Sequence, residues 1–168
     1  MDNKITSKNF NIIPLASSYV ASYLQQFSET VREALRVTSI DAEHEYLQAA
    51  LEKQAKGETH FYLIVAESHQ VIGAVEIRKP EQSRGQLYTW LNEDYWGIGL
   101  FQEAMRKVAV DYFSKTQERY FDATVEINNR RSYRALKKAG FADLGIQDGA
   151  WGKDYALVLR NKHMTTRL

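Results

Sequence analysis

Hydrophobic side chains recur along this chain with two periods, and each period predicts a different kind of element. Residues 121–127 alternate between apolar and polar side chains, and this two-residue period is typical of a strand. Residues 100–113 carry apolar side chains at the spacing of a wide stripe along a helix. Because strand-like and helix-like segments follow one another through the chain, the pattern predicts a mixed α/β protein.

The pattern of the N-terminal third predicts one strand followed by three helices. Residues 8–13 predict a first strand that ends at Pro14, and residues 15–27 have helical spacing. Thr30 and a glutamate three residues later fit a capping box, which predicts a second helix from that point. Apolar positions within residues 41–56 predict a third helix.

The remaining pattern predicts a sheet with two long helices inserted. The continuous apolar run at 61–66 indicates a strand that is buried on both faces. The later segments are, in order, strands at 71–78 and 87–91, the helix from 100, the strand at 121–127, a helix from 131 that stops at Gly140, the segment 141–144, a loop at 145–152 and a strand at 155–159. No internal repeat or linker interrupts them, so we expect one domain over residues 1–168.

Charge and composition narrow the possible functions. Twenty-two basic and 21 acidic residues give a formal net charge of +1, which offers no global attraction to nucleic acid or to an anionic membrane. The chain has no cysteine, so disulfides and thiolate metal sites are excluded. The four histidines, His44, His60, His69 and His163, have no metal-ligand spacing. No signal peptide and no membrane-spanning run is visible, and we expect a cytoplasmic protein without a metal.

Two glycines stand where the strand at 87–91 gives way to the long helix. Gly97 and Gly99 precede the apolar stripe that begins at Leu100. Backbone N–H groups at a helix N-terminus have no partner inside the helix, and the helix dipole adds positive charge there. Because glycine has no Cβ, a phosphate can approach such a backbone closely. The alternative is an ordinary turn, since the spacing matches neither a Walker loop nor a dinucleotide fingerprint.

Residues 91–104 and 129–141 together resemble two motifs of one family. The first reads LNEDYWGIGLFQEA and the second reads NRRSYRALKKAGF. Both are similar to the general N-acetyltransferase (GNAT) superfamily, and most similar to its ribosomal-protein N-terminal (RimJ/RimL-like) branch. The resemblance implies a mixed, mostly antiparallel sheet of about six to seven strands, flanked by helices, in a GNAT-like fold.

The resemblance also implies a site for acetyl-CoA as cosubstrate. The residues that match the family's cofactor positions are Leu91, Asn92, Trp96, Gly97, Ile98, Gly99, Leu100, Phe101, Asn129, Arg131 and Ser132. Phe101 stands where the family usually has glycine or alanine. Two simpler interpretations stay open, because Asn129 could merely cap a helix and the basic residues from 130 to 138 could form a solvated helix face.

Acetyl transfer needs a base for the amine, donors for the oxyanion and a proton for the departing thiolate. The family's usual tyrosine acid is replaced here by Leu136, and the resemblance makes Ser132 the general acid. Asp148, in the predicted loop, is one candidate for the base and Glu76 is the other. A solvated sheet face is the alternative interpretation for Glu76. The strand end at residues 91–92 is where the family provides an oxyanion donor.

By the same resemblance, the acceptor is the amine of a protein N-terminus. A small amine such as an antibiotic, an amino acid or a polyamine is the alternative acceptor. The alternative from another functional class is a module that binds acyl-CoA without catalysing a reaction. We expect neither nucleic acid nor membrane as a partner, and either a monomer or a homodimer.

Overall fold

A computed structural model describes residues 9–79 and 84–162 of the chain. It contains one seven-stranded sheet in the order β1-β2-β3-β4-β5-β7-β6. The strands are β1 Phe10–Pro14, β2 Thr59–Ala66, β3 Val71–Arg78, β4 Gly85–Leu91, β5 Tyr120–Glu126, β6 Ala142–Gly149 and β7 Gly152–Arg160. Neighbouring strands run antiparallel except for β4 and β5. The predicted mixed, mostly antiparallel sheet is therefore confirmed.

Five α-helices and two short 3₁₀ helices lie among the described residues. The α-helices are α1 Val20–Gln26, α2 Glu29–Ala34, α3 Ile40–Ala55, α4 Leu100–Lys115 and α5 Arg130–Lys138. The 3₁₀ turns are Ser17–Tyr19 and Glu93–Tyr95. None of the helices in these parts of the chain is long and apolar enough to cross a membrane.

The sheet separates two hydrophobic cores. One core joins the sheet to α4 and α5, and the other joins it to α1, α2 and α3. Successive residues of β2 alternate between these cores, because successive side chains of a strand point to opposite faces. This explains why the apolar run at 61–66 shows no alternation in the sequence, and it confirms the predicted two-sided burial.

Strands β4 and β5 are hydrogen-bonded only at their start. Gly85 pairs with Phe121 and Gln86 pairs with Asp122, and no further pair joins these two strands. Both strands nevertheless continue for several residues beyond that point. They therefore diverge towards their carboxyl ends, and the gap between them opens next to the N-termini of α4 and α5.

Two local predictions are corrected by the structure. Helix α2 begins at Glu29 because Ser28, not Thr30, is its N-cap, with the Val31 N–H donating to Ser28 Oγ at 3.2 Å. The predicted loop at 145–152 is mostly strand, because β6 continues to Gly149 by pairing with β7. Its side chains are almost all exposed on both faces, so no burial pattern marks it as a strand. Lys8 and His163, which figured in the sequence predictions, lie outside the described residues.

Candidate active site

The gap between β4 and β5 leads into a cavity of about 580 Å³. The end of β4, the glycine loop with the first turn of α4, and the first two turns of α5 form most of its wall. Helix α2 adds one more side. The lining residues from the β4 and α4 side are Thr89, Trp90, Leu91, Tyr95, Trp96, Gly97, Gly99, Leu100, Phe101 and Gln102, and those from the α5 side are Asn129, Arg131, Ser132, Arg134, Ala135 and Lys138.

The glycine loop presents backbone rather than side chains to this cavity. Gly97 and Gly99 have φ of +76° and +79°, a conformation that side-chain-bearing residues rarely adopt. A Cβ at either position would meet no protein atom within 4 Å, so the loop faces open space. Gly99 is the N-cap of the 16-residue α4, and no side chain of the described residues caps that helix. The first N–H groups of α4 are therefore open to an anionic ligand.

Helix α5 begins at the opposite wall of the cavity. Asn129 caps it, because Asn129 Oδ1 accepts the Ser132 N–H at 3.2 Å. The capping interpretation of Asn129 is thus correct, and both residues also line the cavity. Leu136, which stands at the family's tyrosine position, is 3% exposed and belongs to the core.

The basic residues of α5 divide into two groups. Arg131, Arg134 and Lys138 line the cavity at helical spacing, whereas Arg130 and Lys137 do not. Within residues 9–79 and 84–162, none of the three lining cations forms an ion pair. One wall of the cavity therefore carries positive charge that the described protein does not neutralise.

Arg131 stacks on Trp96 in the wall of the cavity. Its Cζ lies 3.2 Å from the centre of the Trp96 ring, a cation–π arrangement. Partial burial there lowers the pKa of Arg131 below its ordinary value, while the more distant Glu93 raises it. A guanidinium nevertheless stays charged at neutral pH. Trp96 is itself fixed, because its Nε1–H donates to the Leu91 carbonyl oxygen at 2.8 Å.

Two of the predicted cofactor residues lie outside this cavity. Asn92 Oδ1 accepts the Asp94 N–H at 3.0 Å and its Nδ2 donates to the Gln26 carbonyl oxygen at 3.0 Å, so the side chain is structural. The Asn92 backbone N–H donates to the Ile72 carbonyl oxygen and is not free for an oxyanion. Ile98 is 44% exposed and does not line the cavity. The other nine predicted positions line it.

A second cavity of about 370 Å³ adjoins the first. Leu35, Thr89 and Trp90 line both, so the two cavities meet at the end of β4. Glu76 of β3 lies in the second cavity and is only 4% exposed. The expectation of a solvated sheet face for Glu76 was therefore wrong, since both faces of β3 are covered by packed elements.

Asp148 contributes to neither cavity. Its side chain is 87% exposed and forms an ion pair with Lys153 across the β6–β7 hairpin. The prediction of Asp148 as a base depended on a loop over residues 145–152. Pairing of β6 with β7 instead holds this carboxylate on the hairpin surface. The structure thus gives no support to Asp148 as the base.

A hydrogen-bonded group that lines the second cavity was not predicted from the sequence. Trp90 Nε1–H donates to Tyr23 Oη at 2.9 Å, and the Tyr23 hydroxyl donates to Glu43 Oε1 at 2.7 Å. Glu43 is 7% exposed and lines the cavity. One signal was present, because Glu43 precedes Leu47 and Ala50 on the inward stripe of α3, where an acidic residue is unusual.

The family model for the acetyltransferase (GNAT) domain matches residues 10–142 of this chain. That match spans most of the sequence, and the chain belongs to the GNAT family. It is accordingly an N-acetyltransferase. No curated protein matches the sequence.

Solved structures share the fold over nearly the whole chain. An acetyltransferase from Salmonella typhimurium that modifies the N-terminal serine of ribosomal protein L7/L12 is 15% identical, with a TM-score of 0.80 over 92% of this chain and 96% of that one. RimL in complex with coenzyme A is 16% identical, with a TM-score of 0.77 over 93% and 96%. AAC(6')-Ib in complex with paromomycin and acetyl-CoA is 16% identical, with a TM-score of 0.75 over 95% and 98%. At these identities the likeness shows the fold alone.

Proposed function

We propose that this chain transfers the acetyl group of acetyl-CoA to the α-amine of a protein N-terminus. The observation that best supports acetyl-CoA as the cosubstrate is the first cavity. There the start of α4, which no described side chain caps, lies opposite three cations of α5 that form no ion pair among the described residues. CoA brings a diphosphate and a 3′-phosphate, and these are the groups that helix N-termini and arginine side chains bind well. Family membership and the CoA-bound structural neighbours support the same ligand.

The unpaired edge of β4 can bind the pantetheine arm of the cofactor. Beyond Gln86 this strand has no hydrogen-bonding partner in β5, so an extended chain of amides can pair with it. The pantetheine arm of CoA is such a chain. Its thioester would then lie near Leu91 and Ser132, which both line the first cavity.

In this arrangement the neutral amine attacks the thioester carbonyl, and the tetrahedral oxyanion collapses to expel the CoA thiolate. Ser132 is our candidate for passing a proton to that thiolate. A serine hydroxyl is a poor acid in water, so its role is that of a hydrogen-bond relay beside developing negative charge. The ribosomal-protein acetyltransferases among the structural neighbours support a protein N-terminus as acceptor.

A thiol-release assay with acetyl-CoA and matched acceptors tests this function. One set of peptides carries a free N-terminal serine or alanine. The control peptides have the same sequence, but their N-terminus is formylated and an internal lysine supplies the amine. Spermidine and an aminoglycoside serve as small amines. We expect release only with the free N-termini, and mass spectrometry should place the acetyl group on the α-amine. Release with the small amines alone would reassign the acceptor, and CoA binding without any release would indicate a silent module.

A further inference from the structure

The second cavity contains two carboxylates with different surroundings. Glu76 is fully engaged, because it accepts hydrogen bonds from the Tyr46 hydroxyl, from Thr59 Oγ1 at 2.8 Å and from Arg78 Nε at 3.2 Å. These three donors occupy both oxygens of Glu76. Glu76 therefore acts as an anchor for Tyr46 and Arg78.

Glu43 is engaged through one oxygen only. Its Oε1 accepts the Tyr23 hydroxyl, whereas Oε2 has no hydrogen-bond donor in the described part of the chain. Oε2 is also not sealed in the protein interior, since the fully enclosed unpaired polar atoms belong to Asp122 and Asp154. Glu43 thus presents a free carboxylate oxygen to the cavity that it lines.

The charges around the cavity leave one carboxylate without an ion pair among the described residues. Arg78 forms an ion pair with Glu76 and stacks on Tyr88, with its Cζ 3.4 Å from the ring centre. Arg36, at the outer rim, pairs with Glu126 at 2.8 Å. Glu43 is then the lining carboxylate that forms no ion pair within the described part of the chain, and Arg78 acts on it only at longer range. The cavity is therefore matched to a ligand that carries a single positive charge.

Aromatic side chains surround the same space. Tyr46, Tyr88 and Trp90 line the cavity together with Glu43. Aromatic faces attract ammonium ions, and their apolar area suits the carbon atoms next to an amine. Trp90 also lines the first cavity, so a ligand bound here lies beside the proposed path of the thioester.

We propose that Glu43 binds the ammonium group of the acceptor amine in the second cavity and takes its proton before attack. This inference rests on the proposed acetyl transfer and assigns the acceptor site a substrate class, a primary amine that arrives as a monocation. Tyr23 is the positioning residue, because its hydroxyl joins Glu43 to Trp90 and so fixes the carboxylate beside the end of β4. Burial raises the pKa of Glu43 above its ordinary value, which makes the carboxylate a better proton acceptor.

The proposed step balances in protons and charge. The substrate ammonium gives one proton to the Glu43 carboxylate, which yields a neutral amine and a carboxylic acid. The amine then forms a C–N bond with the thioester carbonyl carbon, and the C–S bond breaks. The second proton of the nitrogen leaves with the CoA thiolate as the free thiol. Glu43 finally releases its proton to solvent, so one proton is produced for each acetyl group transferred.

A binding experiment tests the cation site without any assumption about the true acceptor. The probe is n-butylammonium, titrated by calorimetry into the protein saturated with CoA, with butyrate as the anionic control. We expect saturable binding of n-butylammonium but not of butyrate. Glu43→Gln should weaken it at least tenfold, since the amide keeps the shape and the Tyr23 hydrogen bond but removes the charge. Glu45→Gln, on the exposed face of the same helix, is the matched control and should bind like the wild type.

Equal affinity in wild type and Glu43→Gln, or the lack of saturable binding in the wild type, would overturn the inference. A kinetic series then tests the proton transfer with a peptide whose free N-terminus the wild-type enzyme acetylates. Glu43→Gln should lower kcat/KM about 100-fold or more while CoA affinity stays unchanged, and Glu43→Asp should recover part of the loss. Glu43-dependent binding of n-butylammonium together with unreactive peptides would reject the N-terminal acceptor and keep the cation site.

Discussion

Ser132 occupies the first turn of α5 and lines the cavity, but it is not the residue that caps the helix. Asn129 supplies the cap by accepting the Ser132 N–H. The hydroxyl of Ser132 therefore has no capping role that its removal would disturb. A catalytic role and a capping role for Ser132 therefore make different predictions. If the role is catalytic, loss of the hydroxyl should affect turnover much more than stability.

We predict that Ser132→Ala lowers kcat by about 100-fold or more, the lower end of what general acid catalysis contributes. CoA affinity and melting temperature should stay close to the wild-type values. Ser114→Ala is the matched control, since Ser114 lies on exposed α4 surface and its hydroxyl donates only to the Asp111 carbonyl oxygen. A Ser132→Ala enzyme with wild-type kcat would remove Ser132 from the chemistry.

Burial of Glu43 also predicts a dependence of stability on pH. Desolvation raises the pKa of Glu43, the Tyr23 hydrogen bond lowers it in part, and the neighbouring Glu76 and Arg78 act in opposite directions. Because the native state then holds this proton more tightly than the unfolded chain, its stabilising contribution is present below the ordinary pKa and is lost as the pH rises through the raised value. The other titratable residues that line the cavity are Tyr23, Arg36, Tyr46, Glu76, Arg78 and Tyr88.

Glu43→Gln should therefore have a higher melting temperature than the wild type at pH 7, and this difference should shrink towards pH 4. Scanning calorimetry at the two pH values measures it, with Glu45→Gln as control. Such a gain in stability alongside a loss of activity is typical of a group kept for function. An equal loss of stability at both pH values would mean that Glu43 acts only through packing.

At the scale of an element, the start of α4 depends on two glycines with positive φ. Gly57, at the end of α3, has a similar φ of +73° and also has no atom within 4 Å of an added Cβ. It does not line either cavity. The chain therefore contains its own control for the cost of placing a side chain in the left-handed region.

We predict that Gly99→Val weakens CoA binding more than tenfold, or about 1.4 kcal/mol, because its side chain would fill the space through which a phosphate reaches the α4 amides. Gly57→Val should carry a similar backbone strain, of order 1–2 kcal/mol, and leave CoA affinity unchanged. Calorimetric titration of both variants, after a check that each is folded, makes the comparison. Equal affinities in the two variants would exclude a phosphate at Gly99.

For the whole molecule, CoA should act as a stabilising ligand. A ligand at 100 times its Kd that binds only the native state adds about 2.7 kcal/mol to the free energy of unfolding. For a chain of this size that corresponds to a rise in melting temperature of about 5–11 °C. Thermal unfolding with and without CoA measures the shift. Gly99→Val should lose about half of the shift or more at the same CoA concentration. Glu43→Gln should keep the shift, since Glu43 does not line the first cavity.

The sequence by itself determined the features that depend on local periodicity and on short motifs. Apolar spacing was enough to predict α3, α4 and most strands, because burial repeats every two residues in a strand and about every 3.6 in a helix. The two glycines and the segment from Asn129 also predicted the first cavity, because each motif is a contiguous run of residues at the start of a helix.

Only the tertiary structure decided which distant residues meet. Strand β6 was missed because it pairs at an exposed edge, where neither face needs apolar side chains. Glu43 and Trp90 are far apart in the chain, and they become joined through Tyr23 only when α1 and α3 pack on the sheet. Whether Glu43, Glu76 or Asp148 faces the reacting amine depends on that packing, because burial and hydrogen-bond partners, rather than residue type, set the proton affinity of a carboxylate.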